Sequence, residues 1–161
     1  MRPAFLLAAI CLLPTAAVCA DEQRLGDRTE IMELMARYVW SVDSLDADGY
    51  VSVFTPDAVI DSNGSISRGH EEIRKIVTGL IARRDANKAK GQPTSNLYHM
   101  VGNQRITFTG ENTALHESYW QTVRRKDNQM VAAAMGRSED QVVKVAGRWL
   151  IKSRKLVVFT D

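Results

Sequence analysis

Leu97-Tyr-His-Met-Val-Gly-Asn-Gln-Arg-Ile-Thr-Phe108 is where the hydrophobic period of this chain changes. Upstream, apolar residues recur at three- and four-residue steps. From here on they alternate, and alternation is the mark of a strand with one face buried. Four strands are read in this half, Leu97 to Phe108, Ala114 to Arg125, Met130 to Val145 and Trp149 to Phe159, with turns near Gly110, Asp127-Asn128 and Gly147. Upstream, Ile31, Leu34, Met35, Tyr38, Val39 and Val42 predict an amphipathic helix over about 28–44, opened by Asp27 with Glu30 as a capping box. A short helix is expected over Asp48 to Phe54, stopped ahead of Pro56, followed by a strand at Ala58–Asp61, the Asn63-Gly64 turn and a return strand at Ser65–Arg68. A third helix runs from His70 to Arg84, with Asp85–Pro93 as a loop. Helices first and a long antiparallel sheet afterwards define an α+β fold.

The chain has 161 residues, 45% hydrophobic and 25% charged, with 21 Lys and Arg against 19 Asp and Glu. This fits one globular domain and disfavours a disordered, collagen-like or coiled-coil protein. A net charge of +2 without long runs of one sign speaks against nucleic acid or an anionic membrane as the main partner. Arg2, the apolar run Phe5–Leu13 and Val18-Cys19-Ala20 ahead of Asp21-Glu22 have the layout of a secretory signal peptide. Cleavage is expected after Ala20, giving a secreted or periplasmic protein whose single domain spans 21–161. A lipid anchor on Cys19 is disfavoured by Val18 before it. Cleavage removes both cysteines, Cys11 and Cys19, and with them any thiol catalysis or disulfide. No His, Asp and Glu cluster has metal-ligand spacing and no glycine-rich phosphate loop is present, so neither a metal nor a cofactor is expected.

The residues Tyr38-x-x-x-x-Asp43, Tyr50-Val-Ser-Val-Phe54-x-Pro-Asp57-Ala58, Gly69-His-Glu-Glu-Ile73 and Gly147-Arg-Trp149-Leu-Ile-x-x-Arg154 resemble the SnoaL-like branch of the NTF2-like superfamily. The resemblance covers the mature chain and implies a cone of three helices packed in a strongly curved antiparallel sheet, an α+β barrel with an apolar pocket. Within the superfamily, the chain looks most like the dehydratase and dehydrochlorinase group that uses an Asp–His dyad, which includes scytalone dehydratase, bile acid dehydratase and lindane dehydrochlorinase. In that group an Asp at the end of the first helix pairs with a His after the third; Asp43 and His99 stand in those places. Arg154, five residues after Trp149, matches a recurring Arg, and Tyr38 matches a Tyr of bile acid dehydratase. The second His of scytalone dehydratase has no secure counterpart.

The resemblance implies a cofactor-independent lyase that takes a proton from a small cyclic or aromatic substrate, with Asp43 orienting His99 as the base. Tyr38 would donate a hydrogen bond, and Arg154 would stabilise developing negative charge or hold the dyad's carboxylate. Trp40, Phe54, Tyr119 and Trp120 are candidates to line the pocket, with core or oligomer contact as the alternatives. His70 reads as a cap or surface residue, and His116 has either face of its strand open to it. Arg83-Arg84 and Arg124-Arg125-Lys126 read as solvated clusters. Elimination of water or halide, formaldehyde-releasing C–C cleavage of an aromatic compound, and isomerisation of the ketosteroid-isomerase kind remain open, as does a non-catalytic periplasmic binding protein. A dioxygenase-type structural subunit fits poorly with export. The dehydratases it resembles are trimers, so a homotrimer is expected.

Overall fold

The computed structural model describes residues 15–160 apart from positions 93, 95, 96 and 127, with side chains described from Arg24 onward. The apolar run of the expected leader lies outside the described residues. Helix α1 spans Thr15–Asp43 and α2 Ala47–Ser52; strands β1, Phe54–Ser62, and β2, Ser65–Arg68, then lead into α3, Gly69–Ala89. Four strands complete the chain: β3, Leu97–Phe108; β4, Thr113–Lys126; β5, Gln129–Val145; and β6, Arg148–Val158. They form one six-stranded sheet in the order β2-β1-β6-β5-β4-β3, curved and unclosed. Among the described residues no helix is long and apolar enough to cross a membrane.

The apolar stripe of α1 is the core stripe. Ile31, Leu34, Met35, Tyr38 and Val42 are all buried, as the 3.6-residue period requires, and they pack with Ile73 and Val77 of α3. The sheet contributes Phe54, Ile60, Val142, Trp149 and Ile151 to the same cluster. Burying each of these large side chains stabilises the fold by about 1.5–3 kcal/mol.

Local signals misplaced several boundaries. Helix α1 does not start at Arg28. It is already helical at Thr15, so Asp27 sits inside a helix and caps nothing. Its buried carboxylate instead accepts hydrogen bonds from Lys144 Nζ at 2.8 Å and Trp149 Nε1 at 2.9 Å. Helix α2 ends at Ser52, six residues after its true cap, Asp46, whose carboxylate accepts from the Gly49 N–H. Phe54 is therefore a strand residue, paired with Ile151.

Strand β1 runs parallel to β6, the one parallel pair in an otherwise antiparallel sheet, with a register shift between Phe54 and Val59. Pro56 falls in that irregular stretch, where its missing N–H costs no ladder bond. Helix α3 continues to Ala89 through the segment expected to be a loop, because no Gly or Pro falls between Leu80 and Gly91, which adopts a φ of +66°. The Asn63-Gly64 turn forms as its sequence dictates, with φ of +52° and +91° and the Asp61 carboxylate accepting from the Gly64 N–H.

Register shifts in β3, β4 and β5 bend the sheet around the helices. On the concave side, His116, Asp140 and Arg154 occupy adjacent places on β4, β5 and β6, followed by Ser118 beside Ser138 and then Trp120 beside Gly136. A Cβ on Gly136 would stand 2.0 Å from the Val157 carbonyl oxygen and 2.7 Å from the Trp120 ring, so only glycine fits there. Tyr98, Met100, Tyr119, Met135 and Phe159 remain exposed, and alternation along the strands sets them on the convex side.

Candidate active site

Asp43 is the last residue of α1 and His99 the third of β3, so the site forms where the first helix ends against the edge of the sheet. Both carboxylate oxygens of Asp43 turn to His99. Oδ2 accepts from the His99 backbone N–H at 2.9 Å, and Oδ1 stands 2.5 Å from the ring Nδ1. A carboxylate can only accept, so Nδ1 carries the proton and Nε2 presents its lone pair. The backbone bond fixes Asp43 relative to β3, and the ring bond fixes the imidazole relative to Asp43. His99 keeps 23% of its side-chain exposure and Asp43 14%, so the pair is sheltered yet reachable.

The pair opens into a cavity of about 310 Å³ between α1, α3 and the β3–β4 ribbon. Val42, Leu45, Leu80 and Leu97 supply its apolar wall. Arg83, Arg84, Asn87, Thr94 and Arg124 supply polar groups. The two basic clusters are solvated as their sequence suggests: Arg83, Arg84, Arg124, Arg125 and Lys126 are all exposed. Arg83, Arg84 and Arg124 also border the cavity, because Leu80, Arg83, Arg84 and Asn87 lie at i, i+3, i+4 and i+7 on one face of α3, while Arg124 pairs across the ribbon with Leu97.

Tyr38 and Arg154 do not join this cavity. Arg154 is buried, and its Nη1 donates to Asp140 Oδ1 at 3.0 Å, so the carboxylate it holds belongs to Asp140 and not to Asp43. Its guanidinium carbon lies 4.1 Å from the centre of the Tyr38 ring. Burial opposes the charge, yet Asp140, Tyr38 and Tyr50 around it outweigh that effect and raise the Arg154 pKa above its usual value. The Arg154 Nε has no hydrogen-bond partner among the described residues. Tyr38 packs with Tyr50 and Phe54, its hydroxyl 3.5 Å from that of Tyr50. Burial, with Tyr38 beside it, pushes the Tyr50 hydroxyl well above the usual phenol range.

Asp140 also receives His116, the residue whose strand face the sequence left undecided. His116 faces inward and is fully buried; its Nδ1 is 2.9 Å from Asp140 Oδ2, and its Nε2 is 3.1 Å from the Gln104 side-chain oxygen. Ser138 and Ser118 extend the chain of polar contacts on the same face. His70 anchors the start of α3 to the Phe54 carbonyl oxygen at 3.0 Å, a structural contact.

The four aromatic candidates do not line the dyad's cavity. Trp40 is 75% exposed, Tyr119 lies on the convex side, and Phe54 is sealed into the core. Trp120 is half-buried against Gly136, its indole N–H without a partner among the described residues. Among the described residues no group of three or more His, Cys, Asp or Glu side chains is placed to hold a metal ion.

The SnoaL-like domain model matches residues 23–155 of this chain. The chain belongs to the SnoaL-like domain family. A comparison with curated proteins finds no match. Among solved structures, it is similar to an NTF2-like protein with a cystatin-like fold from Novosphingobium aromaticivorans (21% identity, 92% of each chain covered, TM-score 0.78). It is also similar to a candidate scytalone dehydratase from the same organism, at 21% identity over 87% of this chain and 89% of that one, with a TM-score of 0.70. LinA aligns at 17% identity over 87% of this chain and 90% of that one, with a TM-score of 0.71. At these identities the likenesses establish the fold.

Proposed function

We propose that this protein is a cofactor-independent lyase whose base is His99, oriented by Asp43, and whose substrate is a small cyclic or aromatic molecule held in the cavity beside them. The observation that carries this reading is the Asp43–His99 pair itself: both carboxylate oxygens are committed to one histidine at the mouth of a partly apolar cavity. In an elimination, His99 Nε2 takes a proton from carbon, the C–H electron pair becomes the new double bond, and the leaving group departs with its own bonding pair. Asp43 stabilises the imidazolium formed in that step, and the imidazolium can return the proton to a departing hydroxyl as water. The family assignment and the likeness to a candidate scytalone dehydratase and to LinA support lyase chemistry. Formaldehyde-releasing cleavage would use the same base on a hydroxyl proton, and isomerisation would return the proton to a second carbon.

The test is a panel of cyclic β-hydroxy ketones, halogenated rings, aromatic alcohols with a β-aryl ether and 3-keto-Δ5 steroids, followed by product analysis. His99→Ala is expected to lower turnover by about 10²–10⁴-fold while leaving the thermal midpoint near that of the wild type. Near-normal activity in His99→Ala would remove the dyad from the mechanism. Absence of any turnover alongside tight ligand binding would favour the non-catalytic binding reading.

Export rests on the leader-like residues 1–20. Cleavage after Ala20 would leave Asp21 and Glu22 in the first turn of α1, where negative charge suits a helix N-terminus. A homotrimer is supported by the exposed Tyr98, Met100, Tyr119, Met135 and Phe159 on the convex side, and sedimentation of the purified protein checks it.

A further inference from the structure

Resting on the reading of the dyad cavity as the substrate site, we propose that the substrate bears a carboxylate, which Arg83 of α3 and Arg124 of β4 recognise. Five charged or titratable groups face the cavity: Asp43, His99, Arg83, Arg84 and Arg124. Among the described lining residues Asp43 is the one carboxylate, and both of its oxygens are engaged by His99. Arg84 is paired with the adjacent Asp85 at 3.1 Å. Among the described residues, Arg83 and Arg124 have neither an ion pair nor a side-chain hydrogen bond. Among the described residues the cavity therefore carries two solvent-exposed guanidinium groups without an ion-pair partner beside an apolar wall.

These two cations come from different elements. Arg83 reaches the cavity because the face of α3 that carries Leu80 turns toward it, and Arg124 because it stands across from Leu97 on the β3–β4 ribbon. Like charges gathered at one opening repel one another unless an anion sits between them. A guanidinium fork matches a carboxylate with two parallel N–H donors. Leu45, Leu80 and Leu97 would receive the ring or chain attached to that carboxylate, with its reactive C–H toward His99. A neutral ring would leave both cations unanswered.

A matched pair of probes, 2-naphthoate and 2-naphthalenemethanol, tests this by calorimetric titration of the purified protein. At about 50 mM salt the carboxylate is expected to bind at least tenfold more tightly than the alcohol, and the gap should narrow at about 300 mM. In Arg83→Gln/Arg124→Gln the preference should vanish while the alcohol's Kd stays within about twofold of the wild-type value. Equal affinities in the wild type, an unaltered preference in the double variant, or failure of both probes to bind at millimolar concentration would overturn the proposal. His99→Ala separates the two readings. A preference kept in that variant together with undiminished turnover sinks the dyad alone. Loss of turnover in a protein that never preferred the carboxylate sinks the anion site alone.

Discussion

Among the described residues two Asp–His pairs occur, built from the same side chains with Nδ1 2.5 Å from the carboxylate in one and 2.9 Å in the other, and their surroundings give them different work. Asp43 spends both oxygens on His99, and His99 has one nitrogen left over beside a cavity. Asp140 divides its oxygens between His116 and Arg154, and His116 has both nitrogens engaged, at complete burial. A base needs an unsatisfied lone pair and a path for the substrate; a structural histidine needs neither. Free valence and access, not the pairing of residue types, separate a candidate base from a strut.

The largest effect that would break this contrast is on turnover: His99→Ala should lower it by about 10²–10⁴-fold without unfolding the protein, whereas His116→Ala should act through stability. Second in size, Asp140→Ala leaves Arg154 buried without its partner and should cost about 3–5 kcal/mol in urea unfolding, a loss that Asp43→Ala should not approach. A near-neutral Asp140→Ala would show that the buried network does not hold the sheet floor. Third, Gly136→Ala should cost about 1–3 kcal/mol, because the added methyl has a backbone carbonyl and an indole in its place. Its Trp120→Ala double variant should recover only the part due to the ring.

The smallest effect concerns acid. Burial opposes ionisation of Asp27, but hydrogen bonds from Lys144 and Trp149 outweigh it and hold the carboxyl below its usual value of 3.8. Lys144 is raised by the same bond. A depressed carboxyl gives stability that is complete above about pH 4, the unfolded value, and is lost as pH falls through the lower folded value. Asp27→Asn should flatten that acid limb in a series of thermal midpoints, and an unchanged limb would assign it to other groups.

The parts legible in the sequence were those that depend on neighbours along the chain. The stripe from Ile31 to Val42, the Asn63-Gly64 turn and the alternation that begins at Leu97 each state their geometry within a few residues. Asp27 was misread because a cap signature is local, while its actual partners lie 117 and 122 residues away. The placing of Asp43 opposite His99 came through family resemblance, since nothing between them in the sequence announces a contact across 56 positions. Arg154 belongs inside, but its partner stands on a neighbouring strand with no motif to mark it. Alternation through Ser138, Asp140 and Val142 carried the one available hint, polar residues in phase with a buried face. Arg83 and Arg124 are solvated as their sequence suggests, but their shared place at the cavity exists only after α3 and the β3–β4 ribbon have docked.

The tie from Asp27 to Lys144 and Trp149 bears on how the chain is made. Helix α1 comes first from the ribosome, but the groups that clasp it sit in the last hairpin, and β1 likewise waits for β6 as its parallel neighbour. Such distant closures are slow, and none can be completed while the final strands are still being synthesised. The amino-terminal half must therefore stay unlatched until the carboxy-terminal end arrives. Deleting β6 should leave α1 without the Trp149 half of its clasp, β1 without its parallel neighbour and the preceding strands prone to aggregate.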